Sequence, residues 1–185
     1  YEEVCGIIEK SGLRGRSGGG YPTGVKWKQA LNASSNLRYL ICNARESDPG
    51  SFCNITMLES DPHRLIEGMA IASYAIGSST AIIYLKAGSD CARVRLQKAI
   101  DSARDYGLLG HNIYSSGYNL DITIRVEPGA FVCGEETALV NSLEGKRGMP
   151  QIKPPYPTTV GLSGKPTVIN NVETLMNVPL IMQNG

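Results

Sequence analysis

No Cys-x-x-Cys pair occurs in this sequence, and its five cysteines, Cys5, Cys42, Cys53, Cys91 and Cys133, stand far apart. An odd, scattered set argues against a disulfide framework, and against a zinc or iron–sulfur site built from this chain alone. It suits free, mostly buried thiols in a reducing compartment. His63 and His111 are the only histidines, so a His-rich metal site is excluded too. Charge of one sign is also missing. The 18 Lys and Arg face 17 Asp and Glu, a net charge of +1. No broad field is present to gather nucleic acid or an anionic membrane. No apolar run approaches the ~20 residues of a membrane span. The longest, around Gly68 to Ile76, is broken by Ser73 and Tyr74, so direct membrane insertion is not expected. No secretory leader is recognisable, although the abrupt start at Tyr1 leaves room for an upstream segment.

What remains is ordinary for one globular domain with a sizeable core: 185 residues, 42% hydrophobic and 19% charged. Residues 3 to 10 predict a short helix. The apolar run 37–42 predicts a buried strand ending at Asn43-Ala44. Asp61-Pro62 is a helix start with Gly77 as its stop, so a well-buried helix is expected to Ile76. Thr80 to Lys86 predicts a second buried strand, and 89–106 an amphipathic helix. Leu120, Ile122, Ile124 and Val126 alternate with Asp121, Thr123, Arg125 and Glu127, the clearest period-two strand in the chain. Gly134 to Leu143 reads as helical, and 145–168 as an extended basic loop. Asn170 to Met182 predicts a closing helix that Pro179 kinks or interrupts. Strands alternating with helices imply an α/β domain with a mostly parallel sheet flanked by helices. Ligands of such sheets bind beyond the carboxyl ends of the strands. The segments 43–50 and 127–136 follow strands directly and are the expected site.

A glycine-rich stretch asks for its own explanation. Gly12, Gly15, Gly18, Gly19, Gly20 and Gly24 accompany Arg14, Arg16 and Lys26. Residues 15–19 fit Gly-x-Ser-x-Gly, but a nucleophile elbow needs a strand leading into it, and a helix-like segment precedes Ser17. His111 has no evident orienting acid, so serine hydrolysis is disfavoured. The dinucleotide fingerprint fails for want of a third glycine. The Walker pattern fails at Val25, where lysine is needed. Two readings stay open: an anion cradle of backbone N–H groups with Arg16 and Lys26 nearby, or a plain mobile turn.

Four segments in order resemble one family: GLRGRSGGGYPTGVKW (12–27), YLICNARESDPGSF (39–52), GAFVCGEETALVNSLEGKRGMPQIKPPYP (129–157) and GLSGKPTVINNVETL (161–175). They resemble the flavin- and NADH-binding subunit of respiratory complex I and its relatives in NAD-linked hydrogenases and formate dehydrogenases. The resemblance implies a Rossmann-like FMN-binding domain over residues 1–185. It implies hydride transfer from NADH to FMN, and electrons passed singly to iron–sulfur partner subunits of a larger complex. By position it implies that Gly15, Arg16, Ser17, Gly18, Lys26, Asn43, Glu46, Gly134, Glu135, Asn170, Asn171 and Thr174 line FMN. Tyr21, Asp48, Phe131, Glu136, Lys153 and Tyr156 would meet NADH. The residue types suit that task. Aromatic rings can sandwich a base, carboxylates can accept from ribose hydroxyls, and hydride transfer between stacked rings needs alignment rather than a general acid. Singly, each has a plainer reading: Phe131 as core, Glu135 and Glu136 as acids of a helix's first turn, Asn170 as a helix cap.

The resemblance also implies departures. Arg45 stands where the family carries an aspartate at the flavin. Ser17 replaces a glycine, Gly19 an alanine, and Asp48 a glutamate. Cys53-Asn54 replaces Lys-Asp, and Glu127-Pro128 replaces small residues. The family's ubiquitin-like and [4Fe–4S] domains have no counterpart in these residues, so any such cluster is expected outside this chain. The expected place is the cytoplasmic or mitochondrial-matrix side, attached to a membrane complex through partners. The alternative is a degenerate paralogue that has lost flavin or NADH binding and serves a structural or regulatory role.

Overall fold

A computed structural model describes residues 1–46, 48, 50–127 and 129–184. Seven helices and four strands are formed among the described residues. In chain order they are α1 (Glu2–Lys10), α2 (Thr23–Leu31), β1 (Tyr39–Ala44), α3 (Cys53–Ser60), α4 (Pro62–Ile76) and β2 (Thr80–Lys86). There follow α5 (Asp90–Asp105), β3 (Asp121–Glu127), α6 (Glu136–Leu143), β4 (Thr167–Asn171) and α7 (Val172–Asn184). The strands form one sheet in the order β3-β2-β1-β4, and every pairing is parallel.

The hydrophobic pattern explains the layers. Leu40, Cys42 and Ala44 of β1 and Ala81, Ile83 and Leu85 of β2 face a large core shared with α1, α2, α4, α5 and α7. Ile41, Ile82, Tyr84 and Ile169 face a thinner layer made by Cys133, Leu139, Val140 and Leu162. The chain steps from β1 to β2 to β3 in one direction, then returns past them to β4. A right-handed crossover needs its connecting elements on the opposite face when the direction reverses. That places α6 alone on the thin side and creates a topological switch point between β1 and β4.

The expected helices and central strands form, with shifted ends. Three elements differ from expectation. Residues 167–171 pair with β1 as strand β4, so Asn170 lies in a strand and not in the closing helix. Helices α2 and α3 occupy segments to which the sequence pattern assigns no element. Pro179 sits inside α7 without ending it. The carbonyl of Leu175, which Pro179 cannot serve, lies against Gly68 of α4. A Cβ built on Gly68 would stand 2.1 Å from that oxygen. Arg64 Nε donates to the next carbonyl, Met176, at 2.7 Å. The α4–α7 crossing is thus built around a proline on one side and a glycine on the other. No helix among the described residues is long and apolar enough to cross a membrane.

Candidate functional site

The carboxyl ends of β1 and β4 open into a cleft of about 610 Å3 at the switch point. A larger hollow, about 990 Å3, lies elsewhere, among α4, α5 and α7, and is lined mainly by apolar and tyrosine side chains. The smaller cleft is the better site on chemical grounds, because charged groups and backbone donors converge on it. Its size lies in the range of about 300–1,000 Å3 usual for small-molecule sites.

One wall is the glycine loop. Arg14 and Pro22 form an antiparallel bridge, and Gly15 N–H donates to Tyr21 C=O at 2.9 Å, so residues 15–21 project as a closed lobe. Gly18 and Gly20 hold φ of +100° and +60°, which a side chain would strain. Arg16 N–H donates to the buried Thr174 Oγ1 at 3.0 Å, and the Arg16 guanidinium pairs with Glu173 at 2.8 Å. These bonds tie the lobe to the first turn of α7. Among the described residues, the N–H groups of Ser17, Gly18, Gly19 and Gly20 have no acceptor. Ser17, Gly19 and Gly20 line the cleft. A run of unengaged backbone donors beside a helix start (α2 begins at Thr23) suits an anion.

The opposite wall carries charge. Glu135 caps α6, accepting from Thr137 N–H at 2.8 Å and Ala138 N–H at 3.0 Å. Lys153 Nζ reaches Glu135 at 2.9 Å and Glu136 at 3.0 Å. Lys26 Nζ donates to Glu136 at 3.0 Å and to the Ile169 carbonyl at 2.8 Å. Two lysines therefore meet two glutamates. Burial works to raise both carboxyls, but the lysines outweigh it, with the α6 donors helping Glu135, and hold them below the usual range. Both carboxylates are acceptors and not proton donors near neutrality.

The floor is amide. Asn43 Nδ2 donates to Gly134 C=O at 2.9 Å, and Trp27 Nε1 donates to Asn170 Oδ1 at 2.9 Å in the core. Asn171 caps α7 through Glu173 N–H at 2.9 Å. A Cβ on Gly134 would meet nothing within 4 Å, so the open space there belongs to the cleft. Tyr21 is held at the rim by Gln29, whose amide donates to the phenol oxygen at 2.8 Å.

Of the residues singled out by sequence, Gly15, Ser17, Tyr21, Lys26, Asn43, Gly134, Glu135, Glu136, Tyr156, Asn170 and Asn171 line this cleft. Arg16, Gly18, Thr174 and Lys153 stand one bond behind it. Three lie apart. Glu46 accepts from the N–H groups of Asn54 and Ile55 at 3.1 and 3.0 Å, and so caps α3. Asp48 is exposed, between two residues outside the described set. Phe131 is 67% exposed on a 3-10 turn, which rules out its reading as core. Arg45 turns away from the cleft, and its guanidinium donates to the Gly129 carbonyl. Gln29 and Thr158 line the cleft without having been foreseen. Gln29 follows Lys26 by three positions on α2, a helix the sequence concealed. The hydrolase reading falls. Ser17 follows no strand, and His111 adjoins the Gly110–Leu120 bridge at the amino end of β3, the far end of a parallel sheet. All five cysteines are free, and no metal-binding cluster of His, Cys, Asp and Glu occurs among the described residues.

Residues 8–180 match the Nuo51 FMN-binding domain profile. The NADP-reducing hydrogenase subunit HndC of Solidesulfovibrio fructosivorans is 52% identical over 99% of this chain and 37% of its own length. An NADH-quinone oxidoreductase subunit of Aquifex aeolicus is 53% identical over 100% of this chain and 43% of its own. Its Escherichia coli namesake is 45% identical over 100% of this chain and 42% of its own. The chain thus spans less than half the length of these curated relatives. The crystal structure of an NAD+-reducing [NiFe]-hydrogenase in the H2-reduced state superposes with a TM-score of 0.91 at 39% identity, covering 100% of this chain and 31% of that one. The parallel sheet, the glycine lobe and these matches lead to one conclusion: this chain belongs to the Nuo51 FMN-binding domain family.

Proposed function

We propose that this chain is the FMN-binding, NADH-oxidising module of a multisubunit electron-transfer complex. The single observation that carries the reading is the pairing of unengaged Ser17–Gly20 N–H donors with an open, amide-floored cleft at the switch point. Those donors fit a phosphate. Asn43, Asn170 and Gly134 form a polar floor suited to the edge of a flavin, and a Cβ at Gly134 would fill part of the open space there. When bound, FMN supplies acceptance of a hydride and its onward release as single electrons.

The chain's own residues bind, align and shield. Lys26 and Lys153 hold Glu136 ionised, so its carboxylate can accept from a ribose hydroxyl or carboxamide of NADH. Tyr21 and Tyr156, about half exposed at the rim, are placed to cover a base or ring. Phe131, more exposed still, is assigned to the same role by the resemblance. The electron acceptor is an iron–sulfur protein of the same assembly, and the setting is the cytoplasmic or matrix face of that assembly. Against the degenerate paralogue stands Arg45, whose guanidinium bonds the Gly129 carbonyl and leaves the cleft open.

The test is an absorption spectrum. The protein is loaded with FMN, desalted and mixed anaerobically with NADH. A retained flavin band that bleaches is the expected result. A retained band that stays unbleached defeats the NADH assignment, and no retained flavin defeats the whole reading.

A further inference from the structure

Most charges around the cleft cancel in pairs, and one half-buried charge does not. Lys26 and Lys153 are matched by Glu136 and Glu135, and Arg16 by Glu173. Glu46 is engaged by the helix-start donors of α3. Among the described residues, Arg14 and Arg45 have no carboxylate within ion-pair distance; Arg14 is exposed and donates to the Gly20 carbonyl, whereas Arg45 is half-buried. Its Nε is buried and bonds nothing, while another guanidinium N–H serves only the Gly129 carbonyl. Its backbone N–H donates to Asn43 Oδ1 at 3.2 Å, and Asn43 lines the cleft. An uncompensated cation therefore stands one residue behind the cleft wall, at the carboxyl end of the central strand.

Leaving a half-buried guanidinium unpaired is costly, and such a charge acts on whatever ionises beside it. NADH gives up a hydride, two electrons with one proton, and leaves as NAD+. The group that takes the hydride gains one negative charge unless a further proton follows. A fixed cation favours that more negative state. At an effective dielectric near 20, a unit charge about 10 Å away shifts such an equilibrium roughly ten- to twentyfold.

We infer that Arg45 is a tuning residue of this site: its uncompensated charge raises the reduction potential of the flavin held in the cleft. The inference rests on the cleft holding FMN. Arg45 acts through space and does not touch the reacting atoms, so it is a positioning and electrostatic residue. Its clamp on Gly129 is a separate structural role, and two variants part the two. Arg45→Lys keeps the charge and loses the planar fork. Arg45→Gln keeps an amide donor and loses the charge.

The experiment is a spectroelectrochemical titration of the FMN-loaded wild type and both variants, with bound flavin per chain measured beforehand. Arg45→Gln is expected to shift the two-electron equilibrium about tenfold towards the oxidised form, about 30 mV. Arg45→Lys is expected to shift it less than twofold. An unchanged potential in Arg45→Gln overturns the inference, as do equal shifts in both variants, which would mark a clamp and not a charge. Should the wild type itself bind no flavin, the proposed function fails first and the inference goes with it. Wild-type binding with unchanged variant potentials sinks the inference alone.

Discussion

Gly68→Ala probes the packing beneath the cleft. Its new Cβ would stand 2.1 Å from the Leu175 carbonyl oxygen and 2.9 Å from the carbonyl carbon. Both are backbone atoms, so no side chain can swing aside. Carbon–oxygen contacts of this kind settle near 3.3–3.6 Å, so α4 and α7 must part by more than about 1 Å. A gap of that order forfeits roughly a quarter to a half of the dispersion attraction between facing atoms. Overpacking of this type costs about 1–3 kcal/mol, sometimes more, against about 1 kcal/mol gained from replacing a helical glycine. With the contact this short the cost sits at the upper end of that range, so a net loss of about 2 kcal/mol is expected. Gly6→Ala is the matched control. Gly6 lies inside α1, its Cβ would meet nothing within 4 Å, and its φ is ordinary. It should gain about 0.5–1 kcal/mol. Urea unfolding followed by far-ultraviolet circular dichroism reads both. Because α7 also carries Thr174, the acceptor of Arg16 N–H, Gly68→Ala should loosen the glycine lobe and weaken FMN binding too. A Gly68→Ala protein within about 0.5 kcal/mol of wild type would refute the close crossing.

Two further predictions concern the cleft. Lys26→Met removes one of the two cations that hold Glu136 below the usual carboxylate range. A depressed carboxyl stabilises the fold above the unfolded range, near pH 4, and that stability is lost as pH falls through the folded value. The gap between wild type and Lys26→Met should therefore be wide at pH 7 and shrink below about pH 4; a gap independent of pH would contradict the pairing. Trp27 is the sole tryptophan, buried, and bonded to the cleft residue Asn170. FMN should quench its emission with the same saturation curve that the flavin's own fluorescence follows, and unquenched emission at full loading would place the flavin elsewhere.

The sequence disclosed what periodicity and local chemistry control. Asp61 does cap α4, through Arg64 N–H at 3.1 Å, with Gly77 closing it at φ +67°. Strand β4 escaped notice for a physical reason. It is buried on both faces, so it shows no alternation, and α7 follows it without a loop. Helix α3 was hidden because its cap, Glu46, lies seven positions before its first residue Cys53 and reaches it only in the fold. The family resemblance supplied the cleft residues by position but not their directions. That Arg16 turns to Glu173, that Glu46 caps a helix, and that Arg45 reaches Gly129 depend on contacts far apart in the chain. No periodic signal encodes such contacts.

The most direct test of the central claim is FMN titration of wild type beside Gly134→Val. Gly134 has ordinary φ, and open space stands where its Cβ would be, on the cleft wall. The substitution should leave stability within about 1 kcal/mol of wild type, because its Cβ meets nothing within 4 Å. Wild type should bind one FMN per chain, and Gly134→Val should bind at least about tenfold more weakly, the equivalent of 1.4 kcal/mol. Equal FMN affinity in the two proteins, with both folded, would contradict the claim that this cleft holds the flavin.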